Sequence, residues 1–152
     1  MATHFDGIES MKAKVGEHLG YSDWREVTQE QVNLFADATG DHQWIHVDPE
    51  RARAESPFGG PIAHGYLTLS LAPVLLAEVY SVSGVSMALN YGLNKVRFPS
   101  PVPVGSKVRL GATLQSIEEI PGGAQVVTAM TFEVEGQEKP SCVAEAVYRF
   151  YL

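Results

Sequence analysis

The second half of the chain alternates. From Lys107 to Leu114, the apolar residues Val108, Leu110, Ala112 and Leu114 are separated by polar or small neighbours. Val126, Thr128, Met130, Phe132 and Val134 repeat the pattern, and so do Cys142, Ala144, Ala146, Tyr148 and Phe150. A side-chain period of two predicts strands with one face in a core and the other toward water. Pro121-Gly122-Gly123 and Glu135-Gly136-Gln137 read as the turns between them. Ser86 to Phe98 is a further predicted strand, running into Pro99-Ser100-Pro101-Val102-Pro103.

The first half follows other rules. Asp6 to His18 predicts a short helix and Ser22 to Val27 a brief strand. Thr28-Gln29-Glu30-Gln31 fits a capping box, so a helix opens at Thr28. Gly40 stops it, because glycine tolerates the left-handed backbone of a helix end. Asp48-Pro49 starts another short helix, running through Ala54. The segment from Ser56 to Pro61 reads as a loop. Gly65 to Val79 is apolar almost all round, which predicts a helix wrapped by other structure. Pro73 should bend it. One buried helix followed by an antiparallel meander predicts a single α+β domain over residues 1–152, with the sheet curled round the helix. Its open edges predict pairing with a second copy.

Composition narrows the function. The chain has 152 residues, 45% of them hydrophobic, enough for a core without disulfides or metal. A formal net charge of −7 argues against a nucleic-acid partner, which needs a basic face. Cys142 is the single cysteine, so no internal disulfide forms and a reducing, cytoplasmic location is expected. Met1 to Gly20 has no apolar run behind a basic start, so no secretory signal is expected. The longest apolar stretch, Leu67 to Val79, is interrupted and too short to span a bilayer, so no membrane partner is expected either.

The polar residues concentrate between Gly40 and Asp48. A carboxylate beside an imidazole suits acid–base work near neutral pH, and Asp41 and His46 are the candidates. On a straight helix five residues rotate by about 140°, so the two converge only if the segment is irregular. The plain alternative is a turn aspartate and a core histidine. Asp48 reads as an N-cap. His42 and His46 are four apart, but the third ligand and the glutamate of helical zinc sites are missing, so no metal is expected. Gly65 opens the buried helix, where a free backbone N–H could meet a substrate oxygen. An ordinary glycine turn explains it equally well. His64 reads as structural. Lys95 and Arg97 are two apart on a strand and share a face, which suits either nucleotide phosphates or solvent.

Phe35-Ala36-Asp37-Ala38-Thr39-Gly40-Asp41, then Ile45-His46, then Pro61-Ile62-Ala63-His64-Gly65, resembles the hydratase 2 motif of MaoC-like dehydratases. Gly40 to Ala52 resembles the branch that includes nodulation protein N, and Asn90 to Pro99 is similar to mycobacterial (R)-hydratases of that branch. The resemblance runs from about Ser22 onward. It implies a hot dog fold working as a homodimer. It implies reversible syn hydration of trans-2-enoyl-CoA to (3R)-3-hydroxyacyl-CoA without a cofactor. Asp41 and His46 fall on the family's catalytic pair, and Gly65 on the glycine that holds the thioester oxygen. Gln43, Lys95 and Arg97 are the further expected substrate contacts. Two positions depart from the pattern: Gln43-Trp44 stands where many members have Asn-Pro, and Pro73 where some have a helical serine. An acyl-CoA thioesterase and a non-catalytic acyl-CoA binding protein are the competing readings.

Overall fold

The alternating segments form the strands their pattern predicts, in a computed structural model that describes residues 2–152. Chain order is β1 (Thr3–Phe5), α1 (Gly7–Met11), β2 (His18–Tyr21), β3 (Arg25–Glu26), α2 (Gln29–Thr39), α3 (Trp44–Val47) and α4 (Pro49–Glu55). Then come α5 (Gly65–Ser70), α6 (Ala72–Val79), β4 (Tyr80–Val82), β5 (Met87–Arg97), β6 (Lys107–Ile120), β7 (Gly123–Val134) and β8 (Cys142–Tyr151).

The main sheet runs β2-β6-β7-β8-β5, with β3 also paired to β6, and every pairing in it is antiparallel. Its inner face carries the alternating set. Val108, Leu110, Ala112 and Leu114 of β6, Val126, Met130, Phe132 and Val134 of β7, and Cys142, Ala144 and Ala146 of β8 are all buried. They close on Leu67 of α5, Leu71 at the junction, and Ala72, Leu75, Leu76 and Val79 of α6. A curved sheet folded over a central helix is the hot dog arrangement.

The long apolar helix is divided. Pro73 has no N–H to give to a preceding carbonyl, and its ring crowds the turn before it. The chain accordingly closes α5 at Ser70 and restarts at Ala72 with Pro73 in the first turn. The pair lies in the sheet's curve as expected, with Tyr66 and Val74 left exposed.

Other differences lie at the N-terminus. The helix expected over Asp6–His18 is only α1 and a 3-10 turn at Lys12–Lys14, and His18 already belongs to β2. Of the strand expected over Ser22–Val27 only β3 forms, while β2 ends just before it; Ser22 is buried between the two and donates its hydroxyl to the Asp23 carbonyl. β1 was not legible as a strand. It pairs in parallel with β4, tying the start of the chain to the end of α6. No helix among the described residues is long and apolar enough to cross a membrane.

Both expected turns form, but their glycines differ in what they hold. A Cβ on Gly123 would lie 1.8 Å from the carbonyl oxygen of Phe150, so β7 reaches β8 only through a residue without a side chain. Gly136 has a φ of +84° and open space around it. Gly123→Ala should therefore cost at least about 1–3 kcal/mol as an overpacked site, and Gly136→Ala about 1–2 kcal/mol of backbone strain. Urea unfolding midpoints of the two variants check the order.

Candidate active site

Three short elements meet at the site, and local chemistry places each. The Thr28 hydroxyl accepts the Gln31 N–H at 3.1 Å and starts α2. Gly40 ends α2 with φ +86°, its N–H donating to the Ala36 carbonyl at 2.8 Å. That left-handed residue turns the chain out of the helix, so Asp41 stands on a loop. One Asp41 carboxylate oxygen accepts the Gln43 N–H at 3.3 Å, an Asx-type turn. Gln43 then caps α3, on which His46 sits. The irregularity that convergence required is this loop. Asp48 and Pro49 begin α4 as expected, the Asp48 carboxylate accepting the Arg51 N–H at 3.1 Å.

The geometry brings Asp41 and His46 together. Ligand-capable atoms of Asp41, His46 and His64 all lie within 4.8 Å of one another. One water can reach both a carboxylate and an imidazole at that spacing, since each hydrogen bond spans about 2.7–3.2 Å. Asp41 is exposed, whereas His46 is buried at 7% exposure.

The His46 ring has a fixed proton. A carbonyl only accepts, so its 2.7 Å contact with Ile62 means that Nδ1–H donates. The lone pair is then on Nε2. Burial holds the ring below the ordinary histidine pKa; the Ile62 bond opposes this and the nearby His64 adds to it. His46 is thus a neutral imidazole at pH 7. Its backbone is held as well: the Gln29 amide donates to the His46 carbonyl at 2.8 Å, and the Ile62 N–H donates to the Ile45 carbonyl at 3.0 Å.

His46 lines a cavity of about 320 Å³ with Gly65, Thr68, Phe98, Pro101 and Ser141 among its walls. The Gly65 N–H finds no acceptor among the described residues, as the first residue of α5 should not. Glycine is needed here for contact rather than for backbone freedom, because a Cβ would sit 3.1 Å from the Phe98 ring.

The remaining candidates lie around this centre. Gln43 is exposed on the same loop as Asp41. Lys95 and Arg97 are exposed on β5, flanking the inward Val96 on the opposite face of the strand, as their spacing predicts. They sit just before Phe98 on the cavity wall, and neither belongs to that wall. His42 points elsewhere, bonding Asp37 at 3.0 Å. Cys142 is buried in the core and its thiol is pushed up to about 11, which leaves it no nucleophile.

Sequence reasoning missed the part His64 plays in this cluster. Its ring stacks on His46 with centroids 4.0 Å apart and planes tilted 25°. The same tilt bears on a metal. Imidazole lone pairs lie in the ring plane, and planes this close to parallel meet far beyond a metal–nitrogen bond of about 2.0–2.1 Å. The two rings do not converge on one ion.

The MaoC like domain family profile matches residues 10–136. Over 147 residues the chain is 57% identical to 3-hydroxyacyl-thioester dehydratase Z of Mycobacterium tuberculosis, covering 96% of this chain and 97% of that protein. It is 45% identical to nodulation protein N of Rhizobium leguminosarum bv. viciae over 144 residues, 93% of this chain and 89% of the other. Among solved structures, the (R)-hydratase from A. caviae involved in PHA biosynthesis superposes with a TM-score of 0.69 at 26% identity, covering 88% of this chain and 94% of that one.

The state of His46 sets a pH response. Burial holds its folded pKa below the ordinary histidine value of 6.5, so the neutral form is the native one. As pH falls below that value the unfolded chain takes up the proton first, and stability is lost. Activity that uses neutral His46 should keep its plateau down to pH 6.5 and fall only below it. The pH dependence of kcat/KM and of the urea midpoint together check this.

Proposed function

We propose that this chain, which belongs to the MaoC-like dehydratase family, adds water reversibly to a trans-2-enoyl-CoA and yields the (3R)-3-hydroxyacyl-CoA. The observation that carries the reading is the approach of a carboxylate and a neutral imidazole to within 4.8 Å beside a cavity that Gly65 lines. The dehydratase and (R)-hydratase names of its relatives point the same way.

The residues divide the chemistry as follows. The thioester carbonyl accepts the Gly65 N–H, which favours electron flow onto that oxygen. Asp41 and His46 hold a water over C3. Its oxygen bonds C3 as one of the pair takes its proton, and the C2–C3 π electrons move toward the thioester as an enolate. The enolate collapses by taking a proton at C2 from the same side. The two groups act as one coupled unit in these transfers. No electron leaves or enters, so the reaction calls for no redox cofactor. Gln43, exposed on the Asp41 loop, is proposed as a further substrate contact through its amide. Lys95 and Arg97 offer positive charge to the nucleotide phosphates against a chain of net charge −7.

The assembly we propose is a cytoplasmic homodimer serving fatty-acid metabolism. β5 ends the main sheet and leaves its outer backbone groups unpaired. It also exposes Met87, Leu89, Tyr91 and Leu93. An apolar edge of that kind is covered in stable proteins. Sedimentation should show a dimer, and Leu89→Lys with Leu93→Lys should shift it to monomer; a monomeric parent that is fully active would exclude the dimer.

Incubation with crotonyl-CoA tests the activity itself. Absorbance of the conjugated thioester should fall, and chiral analysis should find the (3R) alcohol. Asp41→Asn and His46→Gln should each lower kcat by about 10²-fold or more, the scale of acid–base catalysis. The double variant should be little worse than the poorer single, since the pair acts together. Circular dichroism establishes that each variant is folded. A (3S) product, release of free CoA thiol, or near-parent rates in both folded single variants would overturn the reading.

A further inference from the structure

His64 is 3% exposed, yet among the described residues only one of its ring nitrogens has a protein partner. Nε2 lies 3.0 Å from the Asp41 carbonyl oxygen, and a carbonyl cannot donate. The ring therefore carries its proton on Nε2 and donates it in a hydrogen bond to the Asp41 backbone carbonyl. Nδ1 is left as a buried acceptor with no protein partner among the described residues. A buried polar atom without a partner costs stability and asks for an explanation. A leucine or phenylalanine would fill the space without that cost, so packing alone does not account for a histidine.

The position of the ring supplies the explanation. Phe35 of α2 lies against His64, with centroids 4.8 Å apart. His46 of α3 stacks on it at 4.0 Å. The Nε2–H holds the loop that carries Asp41. The residue itself immediately precedes Gly65, and its own carbonyl accepts the Leu67 and Thr68 N–H groups that begin α5. The other restraints on Asp41 are long bonds within its own loop: its N–H reaches the Thr39 hydroxyl at 3.4 Å, and its exposed carboxylate accepts the Gln43 N–H at 3.3 Å.

We propose that His64 is a positioning residue, which sets the spacing between Asp41 and His46 by donating to the Asp41 backbone while its ring braces His46. The inference rests on the hydratase reading for its kinetic consequence, but the tether itself exists without substrate. His64 touches neither water nor thioester in this scheme. It fixes where two reacting groups stand relative to each other and to Gly65. Misplacement by about 1 Å from a change outside the chemistry can cost on the order of 10²-fold in rate.

Two variants separate tether from packing. His64→Phe keeps an aromatic ring between Phe35 and His46 and removes the donor. His64→Gln loses the ring but returns an N–H donor at a similar reach. With crotonyl-CoA, His64→Phe should lower kcat by about 10- to 100-fold while KM stays within about threefold, because binding groups are untouched. His64→Gln should recover most of the kcat. Hydrogen exchange by mass spectrometry, without substrate, should show faster exchange of residues 40–44 in His64→Phe than in the parent or His64→Gln. Thermal unfolding identifies variants that are folded. Parent-like kcat in folded His64→Phe overturns the proposal, and so does unchanged exchange across residues 40–44. A His64→Gln protein that is folded and no better than His64→Phe overturns the donor role. If the parent itself does not hydrate crotonyl-CoA, the function reading fails, and exchange alone decides whether His64 tethers the loop.

Discussion

Burial of one face of the α5–α6 pair against the concave side of the sheet is the constraint on which the rest depends. Leu75 is wholly buried there, as are Leu110, Leu114 and Phe132 opposite it. Full burial of each such side chain is worth about 1.5–3 kcal/mol. The helix can lie in the sheet's curve only if its N-terminal end is delivered at the right height. The isolated bridge between Ile62 and Pro103 and the bond from the Ala63 N–H to the Val102 carbonyl do this. The same short stretch supplies the Ile62 carbonyl that holds His46. Core and site thus share a few residues of backbone.

The sheet was readable because it obeys one rule repeatedly. Each alternating residue of β6, β7 and β8 needs only its own neighbours to declare a face. β1 has three residues and no alternation to read, and its partner β4 is 77 positions away. The mixed polarity of Asp6 to His18 hides where α1 stops, at Met11, and Gly16, whose φ is +89°, turns the chain toward β2. At Pro73 the sequence announces a bend, and the structure goes further and divides the helix there.

At the site, sequence showed the parts and not their meeting. Gly40 announced a break and Asp48-Pro49 a restart, so an irregular loop between them was foreseeable. The stacking of His64 on His46 was not. Those residues are 18 positions apart on separate elements, and no period or spacing links them. A buried histidine that ends a glycine–proline loop looks the same whether it braces a neighbour or fills a gap. The bond from His64 Nε2–H to the Asp41 carbonyl distinguishes the two, and no spacing in the sequence reveals it.

The bond from His46 Nδ1–H to Ile62 has a consequence for proton traffic. A peptide carbonyl accepts a hydrogen bond but does not take the proton away. The inner side of the ring is therefore a dead end, and His46 cannot serve as a wire that passes a proton from one nitrogen through to the other. Whatever arrives at Nε2 must depart from Nε2, on the face where it arrived. A ring open on one side only keeps each proton local to the pocket, and that bookkeeping favours removal and return on a single face of the substrate.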